Sequence, residues 1–255
     1  MRRFGGVAGV GRREVISRLG SVVAVGFASG CGGGEEGSPT SSSSSASSST
    51  SSSSTASTNA QCVVTPALTE GPYFVDEMLN RSDIRTDPAT GAARPGVPLG
   101  LTMVLSQVGA SGCAALTGAL VDMWHCDALG LYSDVSAQST VRQRFLRGYQ
   151  VSDQNGSVRF TTIYPGWYTG RAVHIHFKVR TSPTGERGLE FTSQLFFDEA
   201  LTDQVHAQSP YSQKGRRNTL ITNDGIFQSG GTSLLVPLAA SGGGYAGTMY
   251  VGVRV

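Results

Sequence analysis

The 255-residue chain is poor in the features that assign a function quickly. It has 20 basic and 18 acidic residues, a net charge of +2, and its lysines and arginines are scattered rather than clustered. That balance argues against a nucleic-acid surface. No apolar run of about 18 residues is free of charge, which argues against a spanning helix. No CxxC pair occurs, so neither a zinc knuckle nor a thioredoxin-type site is indicated. There is no internal repeat, and no glycine-rich phosphate loop sits on a strand-to-helix turn. Histidine is scarce, at four, yet two of the four stand one residue apart in "GWYTGRAVHIHF".

What is present divides the chain into three parts. Residues 1–31 carry Arg12-Arg13, a moderate apolar stretch, and small residues ahead of Cys31, the pattern of a twin-arginine export signal. Ala28-Ser29-Gly30-Cys31 resembles the processing box of a bacterial lipoprotein, in which the cysteine is lipidated. Ala28 stands where that box usually has a larger aliphatic residue, and an ordinary signal peptide cut near the same place is the alternative. The expectation is a protein exported and held at the extracytoplasmic membrane face through a lipid anchor, or otherwise secreted. Residues 32–60 are mostly Ser, Thr, Ala and Gly and cannot recover the entropy of ordering, so they are expected to form a flexible tether. Residues 61–255 remain, roughly 195 residues, enough to bury the core of a single domain. Beyond Cys31 that leaves Cys62, Cys113 and Cys126, one disulfide and one free thiol in an oxidising compartment, with the pairing open.

From Gln61 onward short β-type runs alternate with Gly, Pro, Asn and Asp. "LGLTMVLSQV", "ALVDMWHC", "SVRFTTIYP", "VHIHFKVRT", "FTSQLFF" and "TMYVGVRV" read as strands. "SQVGASGC" reads as a hairpin-like turn joining the first two, and "DQNGS" as an Asn-Gly turn. "LTDQVHAQ" is the one helical candidate, with Thr202 as N-cap and Asp203 in its first turn. Many short strands with one short helix and long loops predict an all-β fold, an antiparallel β-sandwich.

Residues i and i+2 of a strand share a face, so His174 and His176 project together. Neutral imidazoles side by side are a common way to hold a metal, although an amphipathic strand can carry histidines on its polar face without one. No Asp or Glu accompanies the pair, as a zinc hydrolase or a two-histidine, one-carboxylate iron site would require. Tyr132 and Tyr168 stand at turns instead. A free phenol has a pKa of about 10, so only a strong Lewis acid such as ferric iron makes it a phenolate ligand at neutral pH.

Four separated stretches, "TPALTEGPYFVDEMLNRSDI", "GALVDMWHCDALGLYSDV", "FLRGYQVSDQNGSVRFTTIYPGWYTGRAVHIHFKV" and "TSQLFF", resemble in order the intradiol ring-cleavage dioxygenases. The closest likeness is to the secreted, single-domain branch, and it runs from Cys62 to Phe197 with weaker likeness beyond. The resemblance implies a non-haem Fe(III) held by Tyr132, Tyr168, His174 and His176. Tyr132 would stay bound, whereas Tyr168 would leave when substrate chelates and then act as a general base. Arg171 would stabilise charge developing on the substrate ring, and Gln194 would be the pocket glutamine. The implied reaction inserts both atoms of O2 into a catechol-type aromatic between its hydroxylated carbons, giving a cis,cis-muconate without nicotinamide or flavin. The spacing from Tyr168 to His174 is shorter than in the cytosolic members, which bears on substrate range. A second reading, a non-catalytic extracellular binding module on a tether, gives no reason for those four ligands to occur together.

The remaining conspicuous residues read as structural. His125, beside Cys126, has no suitably spaced ligand partners; His206 in the helical run is expected at the surface. Glu70 and Asp122 have nothing to bring them together. Trp124 and Trp167 are expected to pack, with Trp167 able to line a pocket. Oligomeric state cannot be read from the sequence.

Overall fold

The computed structural model describes residues 62–182 and 188–254. The export signal, Cys31 and the Ser/Thr-rich linker expected from the sequence lie outside the described residues. Nine strands are present among the described residues: β1 Pro98–Gly109, β2 Gly112–Ala115, β3 Leu120–Trp124, β4 Arg147–Val151, β5 Ser157–Ile163, β6 His174–Arg180, β7 Glu190–Phe196, β8 Leu238–Ser241 and β9 Gly244–Arg254. One sheet runs β2-β1-β9-β8, with β5 also paired to β1; the other runs β4-β3-β6-β7. No helix of the described residues is long and apolar enough to cross a membrane.

The sandwich follows from the period-2 pattern. In β1, Leu99, Leu101, Met103 and Leu105 are buried and the residues between them are half-buried, with Val158 and Phe160 of β5 adding to the same core. The second sheet contributes Val121, Met123, Ile175, Phe177, Val179 and Leu195. Each such side chain, fully buried, stabilises the fold by roughly 1.5–3 kcal/mol. Strands β3 and β6 are buried on both faces, because β6 lies between β3 and β7 and its polar face is covered by residues 69–78. Gln194 on β7 reaches the Thr69 carbonyl (2.8 Å), Lys178 pairs with Glu70 and lies over the Phe74 ring, and Arg180 donates to Asp76 (2.7 Å) and Asp122 (2.9 Å). Glu70 and Asp122 therefore serve separate ion pairs, in line with the structural reading.

The expected sandwich is present, with five differences. β1 and β9 pair in parallel, from Leu99↔Tyr245 to Val108↔Arg254, so that sheet is mixed rather than antiparallel. Most of the domain separates the two strands, so the pairing is free of a hairpin's antiparallel constraint. The turn after β1 returns into the short β2 (Gly109↔Gly112) and not into β3, which belongs to the other sheet.

Helix α1 spans Glu199–His206 and begins earlier than expected, with Asp198 rather than Thr202 as N-cap, accepting from the Leu201 amide (2.8 Å). Thr202 is buried, donates to the Asp198 carbonyl (2.6 Å) and meets the Tyr164 hydroxyl. His206 is buried with Thr202 and Val205, contrary to its expected exposure; spacings of three and four put all three on the inward face. Its Nε2 donates to the Pro165 carbonyl (3.0 Å) and its ring stacks on Tyr211. A second, four-residue helix, α2 (Gly225–Gln228), and four short 3-10 turns were not expected.

Cys62 pairs with Cys113, fastening the segment before β1 to β2, and Cys126 is a buried free thiol. His125 is a structural link, as its sequence context indicates. It follows β3, is fully buried, donates from Nδ1 to the Cys126 carbonyl (2.8 Å) and accepts at Nε2 from Thr162 of β5 (2.6 Å), bridging the two sheets. Burial lowers its pKa to about 4.

Two outcomes follow. Replacing both Cys62 and Cys113 by Ser should lower stability by about 2–4 kcal/mol in urea titrations, and reductant should have little further effect on that variant. His125 is neutral when folded, so its contribution is complete above pH 6.5 and is lost as pH falls towards 4, by up to about 3 kcal/mol. H125Q should be less stable at neutral pH and show a flatter loss over that window in pH-dependent thermal melts.

Candidate active site

Both metal-type histidines stand on one face of β6, as the alternation requires. His174 and His176 are buried, their rings nearly perpendicular, and their Nε2 atoms lie 3.0 Å apart. His174 Nδ1 is 2.6 Å from the Ala172 carbonyl. A carbonyl only accepts, so Nδ1 carries the proton and Nε2 presents a lone pair inward. Trp124 is the cross-strand partner of His176 and stacks on it, with centroids 5.0 Å apart and planes 8° apart. Opposite it, Gly71 (φ +69°) comes so close that a Cβ there would sit 3.4 Å from His176 Cε1.

The two tyrosines arrive on separate loops. Tyr132 lies between β3 and β4; its amide donates to Gln138 Oε1 (2.6 Å) and its carbonyl accepts from Thr140 (2.6 Å). Arg147, also buried, binds the carbonyl and hydroxyl of neighbouring Ser133 and the carbonyl of Tyr73 (2.6 Å each for the two carbonyls). Tyr168 lies between β5 and β6. Its loop is pressed onto the Tyr132 loop at Gly166, where a Cβ would overlap the carbonyl oxygens of Asp127 and Ala128. The Tyr168 hydroxyl is 3.0 Å from His174 Nε2, and the Tyr132 and Tyr168 rings are 5.7 Å apart. The Tyr132 hydroxyl is buried with no hydrogen-bond partner.

Arg171 NH1 is 3.4 Å from His174 Nε2, NH2 donates to Gln194 Oε1 (2.6 Å) and Nε to Asp224 Oδ2 (3.0 Å). Tyr132, Tyr168, Arg171, His174, His176 and Gln194, all picked out in the sequence, are thus brought together. Trp167 is half-buried beside them, its Nε1 donating to the Gly215 carbonyl.

Sequence reasoning missed three contributors. Asp224 lies 53 residues from Arg171, and the one local signal it offers is an Asp-Gly step, which suits a turn or cap. Tyr73 stacks on Tyr132 (4.5 Å) and meets Tyr168 edge-on (6.2 Å). Trp124 read as packing, and its stacking on His176 depends on strand register.

Burial dominates the electrostatics. It pushes the Tyr168 phenol up to about 12 against the pull of Arg171, and holds Tyr132 well above its ordinary value. It lowers His174 to about 3, helped by Arg171, and holds His176 well below its ordinary value, helped by His174. The protein alone therefore keeps the phenols protonated and the imidazoles neutral, with the Tyr168 hydroxyl and Arg171 NH1 both directed at the His174 Nε2 lone pair. Among the described residues no group of three His, Cys, Asp or Glu side chains is placed to hold a metal. Two nitrogens and two phenolic oxygens are the set offered here. An orphaned phenol and an inward-facing imidazole lone pair fit a hard, highly charged cation that would ionise the phenols on binding.

Comparison with known proteins places the chain in a family. A family model described as a dioxygenase matches residues 69–234. An intradiol ring-cleavage dioxygenase from Tetranychus urticae is 30% identical, with 76% of this chain and 95% of that one covered and a TM-score of 0.65. The dioxygenase domain of a dioxygenase–carbohydrate-binding protein fusion from Streptomyces sp. SirexAA-E is 28% identical over 76% of this chain and 98% of that one, with a TM-score of 0.53. A chlorocatechol 1,2-dioxygenase of Pseudomonas putida is 29% identical over 160 residues, 55% of this chain; the chain spans about half (54%) of that curated relative. With the family model spanning the site and the Tetranychus urticae structure matched along nearly its whole length, the chain belongs to the intradiol ring-cleavage dioxygenase family.

Proposed function

We propose that the protein is a non-haem Fe(III) intradiol dioxygenase that inserts both atoms of O2 into a catechol-type aromatic, giving a cis,cis-muconate. The observation that carries this reading is the convergence of two buried imidazoles and two phenols without a carboxylate. His174, His176, Tyr132 and Tyr168 would hold the iron. Bound there, Fe(III) would supply the Lewis acidity that ionises the phenols and makes a chelated catechol electron-rich enough to react with O2.

The chain's own residues divide the remaining work. Tyr132 is fully buried under Tyr73 and gripped on both sides through its backbone, which suits a ligand that does not leave. Tyr168 is half-buried on a loop beside exposed Thr169 and Gly170, which suits a ligand that swings away and takes a substrate proton at its oxygen. Arg171 presents fixed positive charge where negative charge develops on the ring, an effect worth a few kcal/mol, about 3, in comparable sites. Trp124 and Tyr73 wall the site with aromatic faces and exclude water from two of the ligands.

The binding-module alternative fares worse. The large apolar side chains exposed among the described residues are Val, Leu and Met, with no aromatic platform. The same proposal takes residues 1–31 as an export signal with Cys31 lipidated and residues 32–60 as the tether, so catechols would be met outside the cytoplasm.

The first test is the visible spectrum of iron-loaded protein before and after adding catechol in air. A tyrosinate-to-Fe(III) charge-transfer band should shift with catechol, and a muconate should follow; a colourless protein that leaves catechol intact would overturn the reading. Y132F should lose iron or all activity. Y168F should keep iron, measured by metal analysis, while turnover falls by about 10²–10⁴, the range of general acid–base catalysis. Wild-type turnover in Y168F would remove its role as the departing base.

A further inference from the structure

We propose that Asp224 is a positioning residue, which aims Arg171 at the reacting centre and sets the orientation of His174. This rests on the dioxygenase reading for what the aimed arginine does, though not for the geometry itself.

The carboxylate is buried, its side chain 1% exposed, and both oxygens are fully used. Oδ2 accepts from Arg171 Nε (3.0 Å) and from the Ala172 amide (2.8 Å). Oδ1 accepts from the amides of Ile226 (2.8 Å) and Phe227 (3.2 Å) and so caps α2. The cap anchors the carboxylate to the backbone, and that anchored carboxylate then holds two neighbouring residues of the pre-β6 loop.

A guanidinium is planar and rigid, so fixing two of its nitrogens fixes its plane. Asp224 holds Nε and Gln194 holds NH2, itself tied to the Thr69 carbonyl by its Nε2. The third nitrogen, NH1, is left facing His174 Nε2 at 3.4 Å. Through the Ala172 amide the same oxygen holds the residue whose carbonyl accepts from His174 Nδ1 (2.6 Å). One carboxylate thus fixes the direction of a cation and, through one residue, the proton-bearing edge of an imidazole.

D224N is the variant to make, because Asn caps a helix about as well as Asp. With its oxygen on the α2 amides, its NH2 group faces Arg171 Nε and Ala172 N–H, donor against donor. In the metal-free full chain, the Arg171 Nε–H signal in ¹⁵N-resolved NMR should move towards that of a free arginine, and its exchange with water should quicken at least about tenfold. In iron-loaded protein, kcat on catechol should fall about 10–100-fold, the usual effect of a residue that supports a ligand, with KM changed much less.

Added to R171Q, D224N should cost little more than the His174 contribution, well short of the product of the two single losses. If D224N does not fold, D224S keeps a capping hydroxyl and faces the same measurements. Wild-type protection of Arg171 Nε–H in these variants, or losses that multiply in the double variant, would overturn the proposal. If wild-type loaded protein fails to cleave catechol, the dioxygenase reading falls, while the exchange measurement on metal-free protein still decides whether Asp224 holds Arg171.

Discussion

The architecture turns on one strand that is buried on both faces while carrying four polar side chains in succession on one of them. His174, His176, Lys178 and Arg180 of β6 are all at most 8% exposed. Burying unpaired polar groups is costly, so each must be given a partner where water is excluded. At the C-terminal end the partners are carboxylates: Glu70 for Lys178, and Asp122 with Asp76 for Arg180. At the N-terminal end no carboxylate touches the imidazoles, which meet each other and the Tyr168 phenol. The same strand is an ordinary ion-paired element at one end and a set of open donors at the other.

That division explains how a reactive site is held in a fixed place. The Glu70, Asp76 and Gln194 contacts pin residues 69–78 over the face of β6, and the pinned segment brings Gly71 to His176 and Tyr73 over Tyr132. Arg147 completes the tie by binding the Tyr73 carbonyl and Ser133 together, so the cover is fastened to the Tyr132 loop. Burial lowers the pKa of its guanidinium to about 10, which still leaves it charged at neutral pH. A buried arginine, Arg147, and a half-buried one, Arg171, thus stand near phenols that the protein alone leaves neutral. The fixed positive charge of Arg171 lowers the cost of ionising both phenols, which would assist the metal binding proposed above.

The sequence made the donors legible because their signals are local. An i, i+2 histidine pair has its geometry written into strand alternation, and Arg171 and Tyr168 lie within six residues of it. Tyr132 and Gln194 were legible through motif resemblance rather than periodicity. What escaped depends on register or on distance along the chain. Trp124 meets His176 only because β3 and β6 pair in one particular register, and Asp224 reaches Arg171 from a loop whose position no local pattern encodes. The same cause underlies the parallel β1–β9 pairing, since a hairpin announces itself in sequence and a long-range pairing does not. The misplaced start of α1 and the burial of His206 are related errors: the helix was framed on Thr202 as a cap, whereas tertiary packing turned Thr202 inward and left Asp198 to cap.

The sheet and the cover therefore answer different chemical demands. The sheet sets the distance between the imidazoles to within the tolerance of strand geometry, and substitution at Val173, Ile175 or Phe177 would disturb it only through the core. The cover is irregular backbone held by side chains, so what stands above the ligands depends on a handful of ion pairs rather than on a ladder. Lys178–Glu70 and the Arg180 pairs hold that cover, and their heads are partly wet at the acidic side: Glu70 is 37% and Asp76 36% exposed. Exposed carboxylates add little stability, whereas leaving Arg180 or Lys178 unpaired under the cover would be expensive. The ion pairs are thus better understood as fixing the place of residues 69–78 than as stabilising the fold, and the shape of the space over the donors follows from them.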